Sequence, residues 1–258
     1  MISPRHHRRV DPMRHPLVFA LVLAFLALPA RADDGCAPTW NAARAVTLAG
    51  FLPDGSMATE GGERIRLASL DRRTLPIERA MKADARFVQL GEADRHGALP
   101  GDVYIDGRSL RTELVRDGLA RLRPSTLADP CLDRLRDLET AARVNRLGLW
   151  NDPRYAVISA DDRNAVSAQA GRFVIAIGKV VHVGVRKNRV YLDFGDDWRR
   201  DAAAVMDQRM LGSDLAGDPT SLFGRVIEVR GVVRDGSPPH IEVEATGAFV
   251  VLDGDRVQ

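Results

Sequence analysis

The sequence predicts an α+β fold, mainly β with helices, organised as two β-rich halves. Three observations lead there. Short apolar runs recur at close spacing, each closed by a turn containing Gly, Pro or Asp. Helical periodicity is confined to a few segments, the clearest carrying Leu132, Leu135, Leu138 and Ala142 on one face. A leader-like N-terminus leaves 226 residues after it, room for one large domain or two small ones, and the pattern favours two.

Met1–Ala32 stands apart from this pattern. Arg5, Arg8, Arg9 and Arg14 form a basic flank, and Leu17–Leu28 is an unbroken apolar run of 12 residues. A bilayer-crossing helix needs about 20 residues, so this run is too short to span. Ala30-Arg31-Ala32 places small residues at the two positions a signal peptidase reads. Residues 1–32 are therefore expected to be a signal peptide cleaved after Ala32, with the mature chain periplasmic or secreted and free of a membrane span. The leader holds five arginines and one aspartate, and without it 32 basic residues face 34 acidic ones. That balance argues against a general attraction to nucleic acid and leaves room only for a local patch. In an oxidising compartment, Cys36 and Cys131 are expected to pair as a disulfide.

The first half is placed at 42–155. Ala45–Phe51 reads as a strand, Pro53-Asp54-Gly55 as a turn and Ser56–Thr59 as the returning strand. Gly61-Gly62 turns again into Glu63–Leu70, where the period of two puts Arg66 opposite Ile65 and Leu67. Thr74–Leu90 reads as mostly helical. Val103–Ile105 is a strand, Asp106-Gly107 a tight turn, and Ser109 the cap of a helix bearing Leu110, Leu114 and Val115. Gly118 supplies a left-handed stop. Asp129-Pro130 opens the next helix, and Gly148 ends it before Leu149-Trp150.

A linker is expected over 156–171, short, polar and rich in Ala and Asp. The second half, 172–252, shows strand patterns at Phe173–Val185, Arg189–Phe194, Arg225–Val233, His240–Val243 and Ala248–Leu252, with a helix over Asp207–Ala216. This succession looks like an OB-type barrel. Trp198 beside Arg199 and Arg200 is its one candidate nucleic-acid contact, an aromatic face flanked by cations.

The stretch from Asp94 to Pro124, with its Asp94-Arg95-His96-Gly97-Ala98 loop, Asp-Gly turn and "LVRDGLA" helix, resembles the thermonuclease (staphylococcal nuclease-like) family. The resemblance extends to the closing "GLW" and implies a five-stranded OB barrel of the staphylococcal-nuclease type with three helices. The "YLDFGDDWRRD" phrase resembles a C-terminal domain found beside such barrels in exported bacterial proteins. In active relatives the resemblance implies two aspartates on Ca²⁺, two arginines on the phosphate and a glutamate base. Carried over position by position, one arginine matches Arg66 and one metal aspartate Asp71. The other aspartate falls on Ser56, the glutamate on Thr74 and the second arginine on Ala98. A shift of register would instead offer Glu78 as the base. His96 takes the place of a tyrosine in the loop.

Three function classes follow. The first is a non-catalytic member that binds nucleic acid, single strands among them, or a cell-envelope protein. The second is a Ca²⁺-dependent phosphodiesterase using Arg66, Glu78 and Asp71. The third is an assembly partner that recruits a protein at a barrel edge. With three of five groups replaced, the first is expected, and no cofactor with it. A calcium site draws its affinity from carboxylate number and charge, and Ser56 supplies neither.

Overall fold

The computed structural model describes residue 36, residues 42–75, 82–212, 215 and 217–252, and these make one compact unit. The expected leader, 1–32, lies outside the described residues. So does Glu78.

Six strands form the first sheet: β1 (Arg44–Phe51), β2 (Met57–Thr59), β3 (Arg64–Leu67), β4 (Ala83–Gln89), β5 (Ala98–Ile105) and the short β6 (Arg108–Ser109). Their order is β3-β2-β1-β4-β5-β6, and a parallel β3–β5 pairing closes the first five into a barrel. Alternation drives the closure. Leu48, Met57, Ile65, Leu67, Phe87 and Val103 point inward and are buried, leaving their strand neighbours to the outer face. Gly101 on β5 is required by a close approach, since a Cβ there would lie 2.2 Å from the Val88 carbonyl oxygen.

β4 corrects one expectation. The stretch Thr74–Leu90 is expected from the sequence to be mostly helical, but among the described residues Thr74 ends a 3-10 turn and Ala83–Gln89 is a strand between β1 and β5. Ala85 and Phe87 are buried while Asp84 and Arg86 are exposed, the period of two of a strand. The Asp106-Gly107 hairpin has both φ angles positive, at 50° and 77°. Ser109 caps α1 (Leu110–Arg116) by accepting the Thr112 N–H, and Gly118 follows it at φ 67°. α2 (Leu132–Val144) buries Leu135 and Ala142 against the barrel. Cys36 and Cys131 are joined by a disulfide at the start of α2.

The second sheet comprises β7 (Ile158–Ser159), β8 (Phe173–Lys179), β9 (His182–Arg186), β10 (Arg189–Asp193), β11 (Ala203–Asp207), β12 (Val226–Arg234), β13 (His240–Val243) and β14 (Phe249–Leu252). The order is β7-β8-β12-β13-β11-β10-β9, with β14 on the N-terminal half of β12. It curls into a partly barrel-like sheet around Val174, Leu192, Met206, Ile227, Val229 and Ile241. Two readings of this half change. The stretch expected as a linker carries β7, paired to β8, and α3 (Arg163–Ser167), and it buries Ala160 and Val166 in the second core. Of the helix expected over Asp207–Ala216, Asp207 instead ends the strand Ala203–Asp207, Gln208–Leu211 is a 3-10 segment, and Leu215 is helical.

The two sheets meet through ions. Arg230 of β12 is fully buried and donates to Glu139 of α2, to Glu228 at 2.8 Å and to the Leu122 carbonyl at 3.1 Å. Glu139 in turn accepts the Leu122 N–H at 2.6 Å, and Arg143 reaches Glu228 at 2.9 Å.

Candidate functional site

The Asp54-Gly55-Ser56 turn after β1 and Asp71 after β3 lie where those two turns meet. Gly55 has φ 78°, and a Cβ there would sit 2.7 Å from the Arg72 carbonyl oxygen, so the Asp54-Gly55-Ser56 turn lies directly on the 3-10 turn that follows Asp71. Glycine is what permits that contact. Arg66 is on β3, and the 94–98 loop leads into the neighbouring strand β5.

Each expected metal group already has a protein partner. The Asp71 carboxylate is buried, and its Oδ2 accepts from Arg121 Nε at 3.1 Å and Nη2 at 2.9 Å. Its Oδ1 accepts the Arg73 N–H at 3.3 Å. Ser56 is also buried; its hydroxyl donates to Asp54 Oδ1 at 2.6 Å, and Asp54 Oδ2 is paired with Arg64. That hydrogen bond from Ser56 lowers the Asp54 pKa against the opposing effect of burial, with Arg64 and Arg72 adding to it. Among the described residues, no group of three or more His, Cys, Asp or Glu side chains is placed to hold a metal. The donors at this site do not fit Ca²⁺: one carboxylate neutralises a buried guanidinium, and the other ligand is a hydroxyl committed to its own turn.

The phosphate and base positions have changed as well. Thr74 is buried, and its hydroxyl donates to the Asp71 carbonyl at 2.8 Å, so it closes the 3-10 turn. Ala98 is buried on β5 and gives its N–H to Asp94 Oδ1 at 3.0 Å. The same oxygen accepts the His96 N–H at 2.8 Å, and Asp94 Oδ2 holds Arg66 Nη1 at 3.0 Å. Burial would raise the Asp94 pKa, but these two N–H groups and the Arg66 charge together lower it. Arg95 reaches His96 Nε2 at 3.0 Å on the exposed side of the loop. His96 is therefore a loop residue held by its backbone.

The arrangement leaves a basic groove. A hollow of about 540 Å³ is lined by Arg66, Arg72, Arg73 and Arg123, with Asp71 and Glu244 also in its wall and Pro100 and Leu127 as apolar surface. Arg72 and Arg73 are exposed and carry no ion pair among the described residues, whereas Arg123 has Glu244 at 3.7 Å. Sequence reasoning missed Arg72, Arg73, Arg121 and Arg123. The signal was there in Arg121-Leu122-Arg123, where alternation puts two arginines on one side of the segment.

Residues 74–152 match the family model described as Staphylococcal nuclease homologue. These residues carry a domain of the staphylococcal-nuclease type. The matched segment of the staphylococcal nuclease homologue runs from Thr74 through β4, β5, α1 and α2 to Asp152, and so takes in Ala98 but not Ser56, Arg66 or Asp71. No curated protein matches the chain.

Trp198, Arg199 and Arg200 lie elsewhere, in the turn between β10 and β11. Trp198 is 58% exposed and borders a separate hollow of about 720 Å³ with His182, Val185, Tyr191, Pro238 and His240. The Arg199 guanidinium stacks 4.9 Å from its ring centre, and Arg200 lies 3.8 Å from Asp197. His182 Nδ1 is 2.7 Å from the buried Asp193 carboxylate.

Proposed function

We propose that this protein is an exported, non-catalytic member of the nuclease fold that binds single-stranded nucleic acid by its phosphates in the basic groove of the first barrel. The observation that carries the reading is the Asp71–Arg121 pair. It takes the carboxylate that a cation would need, while Arg66, Arg72, Arg73 and Arg123 still line one groove. Guanidinium groups grip phosphate oxygens without regard to base, so the contact is electrostatic and sequence-tolerant. Trp198, flanked by Arg199, adds an exposed aromatic face of the kind on which bases stack.

Fluorescence anisotropy with a labelled single-stranded oligonucleotide tests this. Binding is expected to be equal in Ca²⁺ and in EDTA and to fall with salt at a log–log slope of about −1 to −2, the value for the phosphates that the unpaired Arg72 and Arg73 would neutralise on a single strand. Arg72→Glu combined with Arg73→Glu should weaken it at least about tenfold. Binding that requires Ca²⁺, or that ignores the double reversal, would contradict the proposal.

Export has its own readout. The intact mass of protein recovered outside the cytoplasm is expected to start at Asp33 and to show no alkylatable thiol before reduction. A chain that retains Met1, or two free thiols in native protein, would count against it.

A further inference from the structure

A second cleft lies between the two sheets, next to the groove and sharing Arg73 with it. It has a volume of about 260 Å³ and is bordered by Arg73, Arg121, Arg154 and Arg172, with Tyr155, Phe173 and the Gln169 amide also in its wall. No acidic side chain is among its lining residues.

The cationic wall is built on aromatic rings. The Arg121 guanidinium sits 5.2 Å from the Phe173 ring centre and 5.3 Å from that of Tyr155. Arg123 stacks on Phe173 at 4.8 Å, and Arg154 on Tyr155 at 5.9 Å. Arg121 also donates to the Phe173 carbonyl at 2.9 Å and is only 7% exposed. Guanidinium groups held by rings and a carbonyl stay oriented without losing their charge.

The charges then select a ligand. Arg121 is balanced by Asp71 at 2.9 Å and Arg154 by Asp152 at 2.5 Å, both carboxylates lying outside the lining. Arg73 and Arg172 are exposed and have no acidic partner among the described residues. Two uncompensated positive charges in a small cleft match a phosphate monoester, which carries about −1.5 to −2 at pH 7, better than a singly charged diester. The volume is below that of a drug-sized ligand pocket and fits a phosphate with a small attached group.

We infer that this cleft is a phosphate-monoester site, distinct from the groove of the first barrel. The monoester is either a free small phosphate ester or the phosphorylated end of a strand. Calorimetric titration of the mature protein with inorganic phosphate, a nucleoside 5′-monophosphate, the nucleoside and dimethyl phosphate reads the site directly. Phosphate and the monophosphate are expected to bind at least tenfold more tightly than the nucleoside or the diester. Arg172→Glu, on an exposed side chain, should weaken them at least tenfold, while Arg66→Glu, which lines only the groove, should leave them unchanged. Titrating oligonucleotides with and without a 5′-phosphate separates the sources. A preference for the phosphorylated end that Arg172→Glu removes assigns the strand end, and equal oligonucleotide binding with retained mononucleotide binding assigns the free ester. Arg172 lies outside the groove and Arg66 outside the cleft, so these two single variants, unlike any change at the shared Arg73, report on the two sites separately. No binding of phosphate or monophosphate, or binding indifferent to Arg172→Glu, overturns the inference.

Discussion

Arg230→Ala is expected to destabilise the protein by about 3–5 kcal/mol, because it removes one partner from a buried ion network and leaves the others unpaired. Arg230 and Glu139 are fully buried, and Glu228 nearly so. Without the guanidinium, Glu139 keeps only the Leu122 N–H, and Glu228 keeps Arg143, with Arg136 more distant at 3.7 Å. The partners come from α2 below the first barrel and from β12 of the second sheet, so the loss falls on the contact between them. Urea denaturation should show a single transition in the native protein and a lower midpoint in the variant. Replacing Arg230, Glu139 and Glu228 together by apolar residues of similar volume should cost much less, since no charge is then left buried. Two separate transitions in the native protein would show that the sheets fold independently and would contradict this account.

The same network sets an acid limit. Burial favours the neutral form of Glu228, but Arg230 and Arg143 outweigh it and hold the carboxyl at about 2. A carboxyl depressed in the folded state contributes stability that is fully present above its unfolded value near 4.5 and is lost as pH falls toward 2. Stability should therefore decline through that interval in the native protein. The decline should be shallower in Glu228→Gln.

Asp71→Ala is expected to lower stability by a comparable 3–5 kcal/mol. Arg121 would keep its place between Phe173 and Tyr155 and its bond to the Phe173 carbonyl, but the carboxylate that neutralises it would be gone. Coupling identifies the cause. Asp71→Ala and Arg121→Met combined should recover a large part of the loss in a double-mutant cycle. A metal ligand behaves in the opposite way, its removal costing cation affinity and leaving the cation-free fold little changed. Thermal melts of the four proteins, with and without Ca²⁺, distinguish the two. Unchanged melting of Asp71→Ala together with loss of a Ca²⁺-induced shift would refute the structural role given to Asp71.

Much of this was legible in the chain because it is local. The Asp106-Gly107 hairpin, the Ser109 cap and the Gly118 stop are written in residues whose backbone preferences act over three or four positions. The resemblance implied the barrel architecture of the first half, though not the strand at β4. What escaped was set by distant partners. β4 is a strand because β1 and β5 flank it, and Ala83–Gln89 has too little β-branched character to announce that alone. β11, at Ala203–Asp207, is a strand for the same reason, and the small β7 binds the expected linker into the second sheet. At the site, Asp71 was visible as a carboxylate in a family position. Its partner Arg121 lies 50 residues away, and nothing in local spacing joins them. The ladder of Arg123, Phe173, Arg121, Tyr155 and Arg154 draws on both sheets and exists only once they have met.

Cleavage of single-stranded DNA and RNA by the protein from Asp33 onward, in Ca²⁺ and in EDTA, tests the central claim most directly. The account predicts intact substrate in both conditions at protein concentrations that shift its anisotropy, because Ser56, Thr74 and Ala98 supply no charged group and Asp71 is held by Arg121. Ca²⁺-dependent cleavage that disappears in Arg66→Ala would contradict it and place the protein among the working nucleases.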